Sequence, residues 1–372
     1  MNTTFEKFTN GLRIILVIAA KDSLDAIKNK TLLAVSLGLV LMVLSTQVVP
    51  LLLKINPVPK AVVYDPGDAI TLNEFKSSEQ YEVRRSSSQQ ELEITLSEAP
   101  ETMLGLLVPE DLDQRLAVNQ DAQAYDPLEV TGLVMHWASF TEIRRLQLFF
   151  EQQLSELTGN PVRIQISENR VFPRADSDGQ PFMTAMMLVL VILIMGCFLV
   201  PFLISEEKEK HTLEALLVSP ASITQIITGK AMAGTLYSLV SGGVLLILYR
   251  LMVVHWGLTL LTAACGTLFA VGLGLLIGNL VNNSQTTMVV ASAILTGLLL
   301  PVMLMVMAYS GWPDLFQIVL SWIPSVALVN LFRLSFSGDL PMGEIATSLG
   351  SVLGFSLLIY LLVVLKLQRL DR

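Results

Sequence analysis

The chain has 372 residues, 52% of them hydrophobic and 15% charged, with a formal net charge of −8 and a mean hydropathy of +0.61. That apolar excess is gathered in long blocks, which excludes an ordinary soluble domain and places the chain in the membrane class. The two cysteines, Cys197 and Cys265, both lie inside apolar blocks, so no disulfide framework is implied.

In chain order, residues 1–30 form an N-terminal segment carrying Lys7, Arg13, Lys21, Lys28 and Lys30. The apolar stretch behind it, Thr31–Leu53, is too long for a signal-peptide core and lacks a small-residue cleavage site. It reads as an uncleaved signal-anchor. Five further stretches follow: Phe182–Ile204, Ala231–Val254, Leu258–Leu280, Thr286–Ala308 and Ile345–Leu365. At roughly 1.5 Å per residue each can cross about 30 Å of hydrocarbon. Arg250 is the sole formal charge inside these spans and sits near an end, where it can reach the interface. The expected fold class is a polytopic α-helical membrane protein with six transmembrane helices.

Between the first two spans lies an insert, 54–181, with eleven Lys and Arg against twenty-one Asp and Glu. Short β-rich runs, Ala61–Tyr64, Met103–Val108 and Leu128–His136, alternate with helical stretches. "PEDLDQRLA" has proline and acids in its first turn, as a helix start should. "FTEIRRLQLFFEQQLSELTG" is a long amphipathic helix, opened by Thr141 as cap and closed at Gly159-Asn160-Pro161. The insert is expected to be an α/β extracytoplasmic domain. Its basic residues do not oppose translocation, because long domains cross regardless of charge.

Basic residues orient the spans. They precede the first span, lie between the second and third (Lys208, Lys210, Lys230), and end the chain (Lys366, Arg369, Arg372). With both termini and the 366–372 tail cytoplasmic, the number of spans must be even. Leu315–Phe332 is divided by Pro324 into pieces too short to cross and is followed by Arg333. The 309–344 segment is therefore expected to be a re-entrant or interfacial hairpin on the outer side.

Catalytic signals are few. "ITGKA" around Lys230 resembles the end of a phosphate-binding loop, but Thr224 stands where that loop needs Gly and Ala231 where it needs Ser or Thr. His136, His211 and His255 have no metal-ligand spacing, and neither HExxH nor GxSxG occurs. The spans contain no acidic residue, which argues against intramembrane proteolysis and ion-coupled transport. Two structural features do stand out. Gly266, Ala270, Gly274 and Gly278 recur every four residues, a smooth stripe for close helix packing; it serves either contacts within the chain or a moving or subunit-contact surface. Pro201 and Pro301 imply kinks in the second and fifth spans.

The stretch after the second span has another character. Glu206, Glu207, Lys208, Glu209 and Lys210 arrive in succession, with Glu206 and Lys210 in the favourable i,i+4 order. Leu213, Leu216 and Leu217 then form an apolar helical face, Pro220 ends it, and Ser222-Ile-Thr-Gln225 reads as a capping box opening the next helix. A short amphipathic helix of this kind lies on lipid or is gripped by a partner.

This stretch, "ISEEKEKHTLEALLVSPASITQIITGK", resembles the coupling region of type-2 ATP-binding-cassette (ABC) exporter permeases. There an acidic pair, a basic residue, Thr-Leu-Glu, a leucine pair, Ser-Pro and Gly-Lys recur in that order. The corresponding residues are Glu206, Glu207, Lys208, Thr212, Leu213, Glu214, Leu216, Leu217, Ser219, Pro220, Gly229 and Lys230. His211 departs from the glycine of many members and should stiffen the start of the helix. The resemblance covers nearly the whole chain. The basic segment before the first span is similar to the family's elbow helix. The insert is similar to the extracytoplasmic domain of the subgroup that includes sodium- and drug-export permeases. "WIPSVALVNLFRLSFSG" is similar to its outer re-entrant helices.

The resemblance implies a transport subunit, not an enzyme. A second permease copy or a paralogue would complete a path through the bilayer, and two cytoplasmic ABC ATPase subunits would grip a coupling helix at 205–222. No cofactor is expected in this chain, ATP and magnesium being held by the ATPase, and no nucleic acid is expected as partner. Substrate would leave the cytoplasm across the cell membrane, as an amphipathic, drug-like, lipid-like or ionic molecule. A competing class is a membrane-anchored receptor or assembly factor acting through the insert, which leaves the elbow and glycine stripe unexplained. A third, a secondary transporter, is opposed by the absence of buried charge in the spans.

Overall fold

A computed structural model describes residues 2–28, 58–99, 101–121, 127–174, 179–210, 222–308 and 313–370, with 34, 37, 38 and 41 besides. The expected first span, 31–53, falls almost wholly outside these residues. Helix α1, Asn2–Lys28, precedes it.

Residues 60–166 build an α/β unit. Strands β1 (Lys60–Tyr64), β2 (Glu82–Ser86), β3 (Leu104–Leu107), β4 (Leu128–Val134) and β5 (Val162–Ile166) form one sheet in the order β2-β1-β3-β4-β5. β1 runs parallel to β2 and β3, β3 antiparallel to β4, and β4 parallel to β5. Helices α2 (Gln89–Glu98), α3 (Leu112–Asp121) and α4 (Phe140–Thr158) connect them. Neighbouring residues of a strand point to opposite faces, and β3 shows both faces covered. Gly105 lies beneath Leu92 and Leu96 of α2, while Leu106 joins Val63, Val130 and Leu154 of α4 around a small cavity on the other side. Coverage on both faces explains why β1 and β3 read as continuous apolar runs. β2, "EVRRS", is an edge strand and keeps its arginines exposed, as edges that resist further pairing do.

The long amphipathic helix starts two residues earlier than a Thr141 cap implies, and its cap is Ser139. Ser139 accepts from the Glu142 backbone N–H, and the Glu142 carboxylate accepts from the Ser139 N–H at 3.1 Å. That reciprocal pair satisfies two donors; Thr141 as cap would leave Glu142 out of register. Gly159 closes the helix at φ 67°, a left-handed conformation that glycine adopts without strain. α3 begins at Leu112, with Pro109 in the preceding turn, where its carbonyl accepts from Leu112.

Five described helices are long and apolar enough to cross a membrane: α5 (Gln180–Glu209), α6 (Ile223–Leu248), α7 (Trp256–Leu280), α8 (Ser284–Ala308) and α11 (Met342–Leu370). The most apolar segments of α5 and α7 are 72% and 67% buried against 22–33% for the others, so these two form the centre of the bundle. α5 contains a π-helical turn at Met195–Leu199, just before Pro201. α9 (Asp314–Ser321) and α10 (Pro324–Phe336) bend by 85° at a short break, and α10 packs against α5, α7, α8 and α11. Pro324 supplies the stop, being tolerated only in the first turn of α10. α10 is buried almost throughout. Ser325 donates to the Leu298 carbonyl of α8, Ser351 of α11 donates to the Trp322 carbonyl at 2.6 Å, and Arg333 lies over the Phe182 ring at 5.4 Å.

Candidate functional site

The stripe on α7 faces the centre of the bundle. A methyl group added at Gly274 would run into the Gly196 carbonyl of the π-helical turn, and one at Gly278 would stand 3.0 Å from Pro201 Cα. Ala270 meets Gly196 from the same side, while Gly266 faces Leu328 of α10 and Ile192 of α5. α5 and α7 therefore approach backbone to backbone, which small residues permit.

α5 carries the charged stretch out at the end of the bundle away from the sheet. Successive helical residues turn by about 100°, so consecutive charges meet different neighbours. Glu207 faces α6 and α1. Its Oε2 lies 2.6 Å from the Lys230 ammonium and its Oε1 3.2 Å from that of Lys21. Lys208 faces the C-terminal end of α7, where its ammonium donates to the carbonyls of Gly278 (2.8 Å) and Val281 (3.0 Å) and to Asn282 Oδ1 (3.2 Å). Lys366 of α11 donates to the Asn279 carbonyl at the same place. Two cations thus cover the negative end of one helix dipole. Glu209 faces the start of α8, accepting from the Ser284 N–H at 2.8 Å and its hydroxyl at 2.7 Å, the complementary use of an acid at a helix N-terminus. Glu206 pairs with Lys210 at 2.6 Å.

Lys230 is the centre of this junction. It lies on α6 with its side chain 1% exposed, between Glu207 and Asp22 of α1, whose Oδ2 is 3.1 Å away. The charges alternate as Asp22, Lys230, Glu207, Lys21, so the cluster is neutral, the condition under which charges are tolerated away from water. Burial holds the Asp22 carboxyl above the usual carboxylate range, the Lys230 ammonium offsetting it in part. Beside it Gly229 leaves room for Ile18, whose Cγ2 would stand 2.6 Å from an added methyl, and the Tyr237 hydroxyl donates to the Ser23 carbonyl at 2.6 Å. Gly229 and Lys230 are thus interior positions of a helix packed on α1, the lysine turned to carboxylates. α6 itself begins as expected: Ser222 accepts from the Gln225 N–H and Gln225 accepts from the Ser222 N–H.

Of the residues expected to couple to an ATPase, Glu206, Glu207 and Lys208 stand at this junction with partners inside the chain. Thr212, Leu213, Glu214, Leu216, Leu217, Ser219 and Pro220 lie outside the described residues. Asp22, Lys21, Lys366 and Ser284 also belong to the junction; the sequence marks Lys21 and Lys366 only as orienting charges and the other two not at all, because their partners here lie far along the chain. Among the described residues no group of His, Cys, Asp and Glu could hold a metal ion.

Compared with known families, residues 30–365 match the model described as ABC-2 family transporter protein. No curated protein matches the chain.

Proposed function

The chain belongs to the ABC-2 family of transporter proteins, a multi-pass permease subunit of the cell membrane worked by cytoplasmic ABC ATPases; from that premise we propose that it serves an exporter and is gripped at 205–222. Both termini and the 205–222 segment face the cytoplasm, the α/β unit stands outside, and a second copy or a paralogue completes the path. The cargo is amphipathic, drug-like, lipid-like or ionic and leaves the cytoplasm.

The observation that carries this reading is the Glu207–Lys230 contact. It joins the last turn of α5 to the early turns of α6, so the described residues that flank 211–221 meet at one place in the bundle. The sheet lies at the other end of α5, which at roughly 1.5 Å per residue is long enough to cross the bilayer. A segment so anchored, with an apolar Leu213/Leu216/Leu217 face in its sequence, suits a groove on a soluble partner.

Replacing Leu217 with Asp tests it. Burying a leucine is worth about 1.5–3 kcal/mol and a carboxylate in its place adds desolvation. The ATPase should then be recovered at least roughly tenfold less by pull-down, while Glu93→Ala in the α/β unit recovers it normally. Equal recovery from both variants would refute the coupling role of 205–222.

A further inference from the structure

The cluster around Lys230 does more than hold two helices together. Among the described residues α1 has its broad packing contact with α6, made through Ile18 against Gly229 and through the Tyr237–Ser23 hydrogen bond. What the charges add is α5: Glu207, at its exit, reaches Lys230 and Lys21 together. Glu207 and Lys230 stand in the last turn of α5 and the early turns of α6, before and after 211–221 in the sequence, and Asp22 joins α1 to their contact.

A buried ion cluster adds little net stability over apolar packing of the same shape, and its best-attested use is to impose one register. The opposite face of α1 carries Leu12, Leu16, Val17 and Leu24, each 43–61% exposed. An apolar face of that kind belongs at a bilayer surface. α1 is thus fixed by charge to the coupling segment on one side and free to lie on lipid on the other.

We infer that Asp22, Glu207 and Lys230 are positioning residues that make α1 and the two ends of the coupling segment one rigid lever, so that α1 moves with the segment when the ATPase acts. This rests on the coupling role proposed for 205–222. The resemblance places Glu207 and Lys230 in the coupling region, but neither it nor the family match assigns Asp22, or ties α1 to that region through these charges. The lever delivers the ATPase stroke to a helix lying at the membrane surface as well as to α5 and α6.

The test places spin labels in pairs on exposed Lys28 of α1, Lys210 just after α5 and Gln368 of α11, each changed to cysteine, in the complex with the ATPase. Distances are compared without nucleotide and after trapping with ATP and orthovanadate. In the parent, Lys28 and Lys210 should shift together relative to Gln368 with their mutual distance unchanged. In Asp22→Asn/Lys230→Met, which removes one charge of each sign and leaves Glu207 with Lys21, Lys210 should still shift while Lys28 stays at its nucleotide-free position. A parent in which Lys210 shifts and Lys28 does not overturns the lever. A parent in which the bound ATPase moves neither overturns the coupling role itself. A double variant whose α1 moves as in the parent shows that the charges are dispensable, and the inference fails. A second measurement needs no ATPase. Lys230→Met alone leaves Asp22 and Glu207 with only the exposed Lys21 between them, so hydrogen exchange around Asp22 should quicken by roughly a hundredfold. Lys230→Arg, which keeps the cation, should restore slow exchange. Unchanged exchange in Lys230→Met contradicts the clasp.

Discussion

In the β-sheet and at the α5–α7 crossing, glycines admit close neighbours, but against different atoms. A methyl group on Gly105 of the sheet would meet the tips of Leu96 and Leu92 at 2.8 and 2.9 Å, and one on Gly132 the tips of Ile164 and Ile166. A methyl group on Gly274 of α7 would meet the backbone carbonyl of Gly196, and one on Gly278 the backbone of Pro201. The sheet is packed side chain on backbone, with the apolar groups driven there by water. Lipid provides no such drive between helices, so the bundle relies on close backbone approach and on polar contacts between helices. The same contrast governs charge. In the sheet unit ion pairs such as Lys60–Glu82 and Arg115–Asp111 lie at the surface, whereas the far end of the bundle sets Lys230 among carboxylates out of water.

The largest expected effect breaks the sheet unit alone. Phe150 is fully buried and meets Phe75, Tyr81 and Phe149 edge to face, the last at 5.3 Å. Phe150→Ala should cost about 3–5 kcal/mol through lost contacts and the cavity left behind. Hydrogen exchange should quicken in β1 and β3 and stay slow in α5 and α7. Equal loss of protection in both regions would mean that they unfold as one unit and the contrast has no energetic content.

A smaller effect is expected from the bundle's own packing. Gly274→Ala should destabilise by about 1–3 kcal/mol, because backbone cannot yield as a side-chain tip can. Gly297 of α8 has nothing within 4 Å of an added methyl, so Gly297→Ala should leave the apparent Tm in detergent unchanged. If both variants melt alike, backbone contact between α5 and α7 is not what limits the bundle.

What could be read from the sequence follows the range of each interaction. Five apolar blocks stand as helices because twenty-odd uncharged residues have no other stable form in hydrocarbon. Pro324 marks the bend, and Ser222 with Gln225 marks the start of α6, because both act within a few residues. The π-helical turn at Met195–Leu199 leaves no signature of its own, since the extra residue is absorbed within an apolar run. β2 is hidden because "EVRRS" owes its pairing to β1 and not to any apolar face of its own. The Glu206–Lys210 stretch was legible as charge, and its i,i+4 pair as geometry. The partners of Glu207, Lys208 and Glu209 lie between 23 and 186 residues away, and only the folded chain brings them together.

The smallest expected effect compares one device used in both regions. α4 and α6 each open on a capping box, Ser139 with Glu142 in the sheet unit and Ser222 with Gln225 in the bundle. Replacing an N-cap serine with alanine costs about 0.5–2 kcal/mol, typically near 1. The two sites differ in what remains. At Ser139 the partner is a carboxylate, which also accepts from the Ser139 hydroxyl at 2.6 Å, and hydrogen bonds to an ionised group are the stronger kind. Ser139 is also partly buried, so a freed Glu142 N–H is less readily met by water. Ser222 is exposed, its partner Gln225 is neutral, and water can replace its hydroxyl. Ser139→Ala should therefore quicken exchange of the first α4 amides by roughly fivefold, the factor for about 1 kcal/mol. Ser222→Ala should quicken those of α6 by less. A larger effect at Ser222 would show that the start of α6 depends on its cap more than on the Lys230 cluster a few residues further on, and the bundle would owe less to its buried charges than the contrast with the sheet unit requires.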